Sequence, residues 1–268
     1  MKNHNFVQPD FDRAKRKGVP EVIFAEGKTV EQSYEIARLF LERNGRAILS
    51  RVSPELEARL RALAQDFNDR SAGGEMEVAF EWYAAARAAV LRRPQGAVAP
   101  TGGRVGILSA GTSDYPAAQE AEMVCREMGC AAITSLDVGV AGLHRLFGPL
   151  SEMLDARPNG HQVDVLIVAA GMDGALPSVV SGLSDVPVIG LPTAVGYGLG
   201  GQGQAALYSM LQTCAPGMAV VNIGNGVGAG AMAGLIANRC ASWRRVSARG
   251  SETTRGEDAT TSDTEGVE

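Results

Sequence analysis

Residues 104–128 read RVGILSAGTSDYPAAQEAEMVCREM. Arg104–Ala110 is a short, mostly aliphatic run, the pattern of a strand buried on both faces. Gly111-Thr112-Ser113-Asp114 interrupts it with turn formers. Tyr115–Met128 then repeats apolar residues at helical spacing, with Pro116 in the first turn, where its missing N–H is not needed. The same strand, turn and helix grammar continues downstream. Ala131–Asp137 reads as a strand and Leu143–Leu154 as a helix. Asp164–Ala170 is a strand ending at Gly171-Met172-Asp173-Gly174, Val186–Pro192 is another, and Met218–Ile223 is a short buried fifth. Such alternation predicts an α/β fold with a doubly wound parallel sheet, whose ligands bind at the C-terminal ends of the strands.

Upstream the pattern is different. Phe11–Gly18 is basic and helical, Pro20–Ala25 is a short strand, and Thr29 followed by Gln32 has the spacing of a helix N-terminal capping box. The helix it opens ends at Asn44-Gly45. Arg46–Ser50 is a second strand, and Ser53-Pro54-Glu55 starts a helix through Leu63. A loop through Ser71–Gly74 leads to Glu77–Tyr83, a mixed segment that reads equally as strand or helix. Residues 1–95 are therefore expected to form a small α+β domain, 96–103 a Pro/Gly linker, and 104–240 the α/β domain. Residues 241–268, almost without apolar side chains, are expected to be a disordered tail.

Composition narrows the class of function. The chain has 268 residues, 45% of them hydrophobic, and a formal charge of -5, which argues against a nucleic-acid partner. No apolar run reaches membrane-spanning length, and the polar start MKNHNFVQPD lacks a signal-peptide core, so the expected location is the cytoplasm, away from membranes. Cys125, Cys130, Cys214 and Cys240 form no CxxC pair, and His4, His144 and His161 are too few for a His-rich metal site.

Four stretches carry candidate chemistry. Ser109, Gly111, Thr112, Ser113 and Asp114 place hydroxyls, N–H groups and one carboxylate before a helix, which suits a phosphate. Asp114 itself is expected to hold a ribose hydroxyl or a hydrated divalent cation, or else simply to cap the helix. Gly171, Met172 and Gly174 surround Asp173, which is either a turn former or a base at a strand end. Thr193, Gly196 and Tyr197 open a glycine-rich loop running through Gly203. The last stretch is SMLQTCAPGMAVVNIGNGVGAG, Ser209–Gly230, where Cys214 sits at a helix end. It is backed by a segment from Asn222 with four glycines in nine residues, including Asn225 and Gly226, which lets backbone N–H groups approach a phosphate. Cys214 reads either as a reactive thiol or as one more buried cysteine.

Two resemblances bear on these residues. SAGTSDYPAAQEA, IVAAGMDGALP, PVIGLP and GMAVVNIGNGVGAGAMAGLIA resemble the aminoimidazole ribonucleotide carboxylase (PurE) fold, which is flavodoxin-like. Ala175 stands where that family's Ala-His-Leu-Pro segment carries histidine. The closer similarity spans roughly residues 10–238. PEVIFAEGKTVEQ, AGTSDYPAAQEA, AGMDGALPSVVSGL, PTAVGYG and TCAPGMAVVNIGNG resemble the LarB family, pyridinium-3,5-biscarboxylic acid mononucleotide synthases of nickel-pincer cofactor assembly.

That resemblance implies a particular reaction. The pyridinium ring of nicotinic acid adenine dinucleotide is carboxylated through a covalent Cys214 adduct, using carbon dioxide or bicarbonate. Hydrolysis of the phosphoanhydride then releases AMP. It further implies Asp173 as proton carrier, where the family usually has Glu, the glycine turns and Asn222, Asn225 and Gly226 as substrate contacts, and a homo-oligomer, octameric by analogy with PurE. A magnesium-like divalent cation is a candidate cofactor. Gly224 replaces an Asp of the family's pattern. A PurE-type carboxylase or mutase, and a non-catalytic nucleotide-binding relative, are the alternatives.

Overall fold

Thr29 shows how local signals set the element boundaries. Its hydroxyl accepts from the Gln32 N–H at 3.1 Å while the Gln32 side chain accepts from the Thr29 N–H at 3.0 Å. This reciprocal cap starts helix α2 (Val30–Asn44), and Gly45 ends it at φ 69°. The computed structural model describes residues 8–70, 77–156 and 162–258. His4, His161, the Ser71–Gly74 loop, most of the polar N-terminal start and residues 259–268 lie outside that set.

The N-terminal part comprises α1 (Arg13–Lys17), β1 (Ile23–Phe24), α2, β2 (Arg46–Ser50), α3 (Pro54–Arg70), β3 (Ala79–Tyr83) and β4 (Ala88–Arg92). Its sheet has the order β1-β2-β4-β3, with β1 parallel to β2 and the other pairs antiparallel. The ambiguous Glu77–Tyr83 segment thus supplies a strand, and β4, which the sequence pattern did not reveal, pairs with it.

The remainder alternates strand and helix: β5 (Arg104–Ser109), α4 (Tyr115–Glu127), β6 (Ala131–Ser135), α5 (His144–Met153), β7 (Val165–Ala170), α6 (Leu176–Leu183), β8 (Val188–Pro192), α7 (Gln204–Leu211), β9 (Met218–Val220) and α8 (Gly226–Asp258). The five strands are all parallel in the order β6-β5-β7-β8-β9. One face packs Val105, Ile107, Ile167 and Ile189 against α4 and α8. The other packs Leu108, Leu166 and Val168 beneath α5, α6 and α7. This is the doubly wound α/β fold that the alternation predicts.

Alternate residues of a strand face opposite ways, and the N-terminal sheet uses both faces. Ala47, Leu49, Ala89 and Leu91 pack under α2 and α3, whereas Ile48, Ala88 and Val90 share a core with Ala118, Ala121 and Val124 of α4. Helix α4 reinforces this docking with two buried carboxylates seven residues apart, on one helix face. Glu127 pairs with Arg46 at 3.1 Å and also with Arg92; Glu120 accepts from the Ser50 hydroxyl and faces Arg51 Nε at 3.6 Å. The change of grammar near residue 100 marks a change of sheet within a continuous core.

Helix α3 runs on to Arg70 rather than Leu63, and three further differences from the sequence expectations lie in the C-terminal part. Strand β9 ends at Val220 rather than Ile223, and it is half-exposed because it forms the sheet edge, with β8 as its sheet neighbour. The glycine run does not continue as a loop to Gly230, because α8 starts at Gly226. A Cβ at Gly226 or Gly230 would lie 2.5 Å from the carbonyl of Ala117 or Ala121, and one at Gly234 would lie 2.6 Å from Met128 Cε. Glycine at four-residue spacing lets α8 press against α4, which is a packing reason for residues that suggest phosphate binding in the sequence. Finally, α8 continues past residue 240. Arg244 donates to the Gly102 carbonyl at 2.8 Å and pairs with Asp164, and Arg245 donates to the Thr101 carbonyl at 2.6 Å, so arginines hold a segment that has little apolar surface.

Candidate active site

Between β5 and β7 the strand order reverses, which opens a crevice at their C-terminal ends. Four of the sequence-predicted segments converge around it. Asp114 is buried, with one carboxylate oxygen accepting from the Gly111 N–H at 2.9 Å and the other from the Thr193 hydroxyl at 2.5 Å. Thr193 N–H bonds Ala170 O at 3.0 Å, Met172 N–H bonds Val195 O at 2.7 Å, and Gly224 N–H bonds Pro192 O at 2.8 Å. Ser109 is fully buried beneath the turn and its hydroxyl leans on Gly111 O at 3.4 Å. Gly171 has to be glycine, since a Cβ there would sit 2.4 Å from Val195 O. Gly174 is likewise fixed by φ 62° and by a 2.7 Å approach to Ala206.

Over this stitched floor several polar groups remain open. Thr112, Ser113, Met172, Asp173 and Gly196 are exposed, and Tyr197 is 82% exposed. Among the described residues Asp173 makes only a long 3.4 Å contact with the Ala175 N–H, and α6 has no side-chain cap, so its carboxylate is not committed to starting that helix. Met172 holds φ 50°, a conformation that β-carbon-bearing residues avoid unless their surroundings impose it. Asn225, by contrast, caps α8 by accepting from the Gly228 N–H at 2.8 Å, and Asn222 accepts from the next N–H at 2.9 Å. Among the described residues no three His, Cys, Asp or Glu side chains are grouped as a metal site.

The N-terminal sheet reaches this edge as well. A cavity of about 350 Å³ is lined by Ser113, Pro116, Thr193, Val195, Arg51 and Arg87, among others. Arg51 donates to Gly224 O at 2.8 Å. Sequence reasoning missed both arginines because it assigned ligands only to the α/β strands. Applying the same strand-end rule to β2, which stops at Ser50, would have pointed to Arg51.

Cys214 is not part of this cluster. Its thiol is exposed, and it precedes β9. The flanking Pro216 carbonyl accepts from Ser181 near the end of α6, and the Gly217 carbonyl accepts from the N–H of Val188, the first residue of β8. Those contacts lie at the N-terminal edge of the parallel sheet, whereas Asp114, Thr193 and Asp173 lie at the C-terminal edge. The rise of β8 alone separates the two edges by about 13 Å. Within one chain, therefore, the thiol and the crevice are on opposite sides of the sheet. The other cysteines are different in kind. Burial pushes the Cys125 thiol well above its ordinary pKa and the Cys130 thiol up to about 11, and both lie against α8.

The sequence model for AIR carboxylase matches residues 104–255, and that for the LarB/PurE-like N-terminal domain matches residues 1–93. The chain belongs to the LarB family. Its C-terminal part is PurE-like, and the whole falls among PurE-related carboxylases and mutases. A LarB-type arrangement of both parts is consistent with the match to an uncharacterised protein of Methanocaldococcus jannaschii, 40% identical over 85% of this chain and 82% of that one. The N5-carboxyaminoimidazole ribonucleotide mutases of Synechocystis and Thermotoga maritima are 34% and 29% identical. They cover 48% and 50% of this chain, and 69% and 74% of their own lengths. Among the described residues no helix is long and apolar enough to cross a membrane.

Proposed function

We propose that this LarB-family chain carboxylates the pyridinium ring of nicotinic acid adenine dinucleotide and then hydrolyses the phosphoanhydride. The products are pyridinium-3,5-biscarboxylic acid mononucleotide and AMP. The observation that carries this reading is the exposed thiol of Cys214, in a chain where Ala175 occupies the place of the PurE histidine. A pyridinium ring is electrophilic and cannot attack carbon dioxide. Addition of the Cys214 thiolate at ring carbon 4 forms an S–C bond and converts the ring into an enamine, nucleophilic at carbon 5. Carbon 5 then bonds carbon dioxide. Its proton leaves to a base, the S–C bond breaks, the thiolate departs with its electron pair, and the aromatic ring is restored. Asp173, exposed and nearly free of partners, is the base in this reading.

Because Cys214 and Asp173 lie at opposite edges of the sheet, the reaction needs two copies of the chain, the thiol of one meeting the crevice of another. A homo-oligomer is thus part of the proposal. The open Thr112, Ser113 and Tyr197 side chains contact the dinucleotide. A divalent cation accompanies the phosphates, which supply oxygen ligands that the protein surface here does not group by itself. Incubation with nicotinic acid adenine dinucleotide and bicarbonate tests the reading. A ring product heavier by one carboxyl group, together with AMP, is the expected result. Turnover of N5-carboxyaminoimidazole ribonucleotide instead would identify a mutase.

A further inference from the structure

The antiparallel register of β2 and β4 runs Arg46 opposite Arg92 through Leu49 opposite Ala89. Beyond it both chains leave their strands, with Arg51 just after β2 and Arg87 in the turn before β4. The Val52 N–H donates to the Arg87 carbonyl at 2.7 Å, which holds these two segments side by side. Both residues also hold left-handed backbone conformations, φ 59° at Arg51 and φ 49° at Arg87, which disfavour any side chain with a Cβ. Two residues of one charge thus share an unfavourable backbone conformation at one hydrogen-bonded junction.

Both arginines also line two cavities. One is the 350 Å³ space that opens onto Ser113 and Thr193. The other, of about 240 Å³, continues toward Lys28 and the first turn of α2. Arg51 is partly neutralised, since Glu26 lies 3.5 Å and Glu120 3.6 Å from it. Glu120 is itself occupied by the Ser50 hydroxyl and the Val227 N–H. Arg87 is exposed and has no ion pair with any described residue. Three cations, Lys28, Arg51 and Arg87, therefore face two carboxylates, Glu26 and Glu120, along the cleft.

We infer that Arg51 and Arg87 form an anion site by which the N-terminal part of the chain holds a phosphate or diphosphate group of the substrate. Guanidinium groups donate paired N–H bonds that match phosphate oxygens, and both arginines line the same two cavities. The site deepens the dinucleotide reading but does not depend on the ring chemistry, because it would serve any phosphorylated ligand extending from the Ser113–Thr193 crevice.

The experiment is calorimetric titration of the full chain with inorganic pyrophosphate, which reads this site whether or not carboxylation is ever observed. Arg87→Gln should weaken pyrophosphate binding by about tenfold, with an unchanged melting temperature, and Arg87→Lys should restore part of the loss. Arg145→Gln, which removes an exposed arginine elsewhere, should leave binding as in wild type. Wild-type affinity in Arg87→Gln, or an equal loss in Arg145→Gln, would overturn the assignment.

Discussion

The Thr193 hydroxyl donates to the Asp114 carboxylate at 2.5 Å, tying the end of β8 to the turn after β5. Both groups are nearly fully buried. With Gly111 N–H on its other oxygen, Asp114 holds the crevice floor together, and it points both acceptors at protein donors rather than outward. Thr193→Val leaves a buried carboxylate short of a donor and should lower stability by about 1–3 kcal/mol. Asp114→Ser, which keeps one oxygen but cannot bridge both partners, should also lower the melting temperature. An unchanged melting temperature in both would mean that the bridge is not structural.

Asp173 should behave in the opposite way. Its only contact among the described residues is long and exposed, so Asp173→Asn should alter stability by less than about 0.5 kcal/mol, as for an ordinary surface change. Turnover should nevertheless fall, because an amide cannot accept the ring proton, while Asp173→Glu keeps activity. A large fall in melting temperature in Asp173→Asn with turnover intact would assign it to the turn alone.

The separation of Cys214 from Asp173 predicts complementation. Cys214→Ser and Asp173→Asn should each be inactive alone. After the two are unfolded together and reassembled, a fraction of sites pairs an intact thiol with an intact carboxylate. Activity should return to roughly a quarter of wild type if subunits mix at random and each site draws on two copies. A mixture as inactive as its parents would confine the chemistry to one chain.

Alkylation should rank the thiols by exposure. In the folded protein Cys214 reacts first, while Cys125 and Cys130 stay protected, since with a pKa of about 11 only about one Cys130 in a thousand is thiolate at pH 8. The sign carries over to stability. Folding favours the neutral thiol, so this contribution is complete below the ordinary thiol pKa. It is lost as pH rises from there toward the raised folded value. Mass mapping after brief iodoacetamide treatment checks the order.

Glu127 anchors the two sheets to each other through Arg46 and Arg92. Glu127→Ala strands two guanidinium groups, one of them largely buried, and should cost about 3–5 kcal/mol, read as a lower denaturant midpoint.

The alternation that marks the parallel sheet was legible because each strand there is a continuous aliphatic run followed by a glycine turn. Thr29, Gln32 and Gly45 announced α2 for the same local reason. The β4 strand was not legible, because AAVLR has a burial on both faces that no period-2 pattern displays. Gly226, Gly230 and Gly234 misled for a different reason. Glycine permits close approach without specifying to what, and here the partner is the α4 backbone. The crevice could be read from its turns, but Arg51 and Arg87 come to one cavity only through the packing of separate segments, which one sequence does not expose. Cys214 was recognisable as a residue but not as one on the far edge, since edge placement follows from strand direction.

The two-sided burial of β2 and β4 has a consequence for how the protein can be divided. A fragment ending at residue 95 would turn Ile48 and Val90 toward water, and one beginning at 104 would leave Glu120 and Glu127 of α4 without Ser50, Arg46 and Arg92. Each half is the other's missing wall. The fusion therefore works as a latch: α4 is at once a support of the N-terminal sheet and the continuation of the Asp114 turn. Through that one helix the position of the first sheet is tied to that of the crevice in the second.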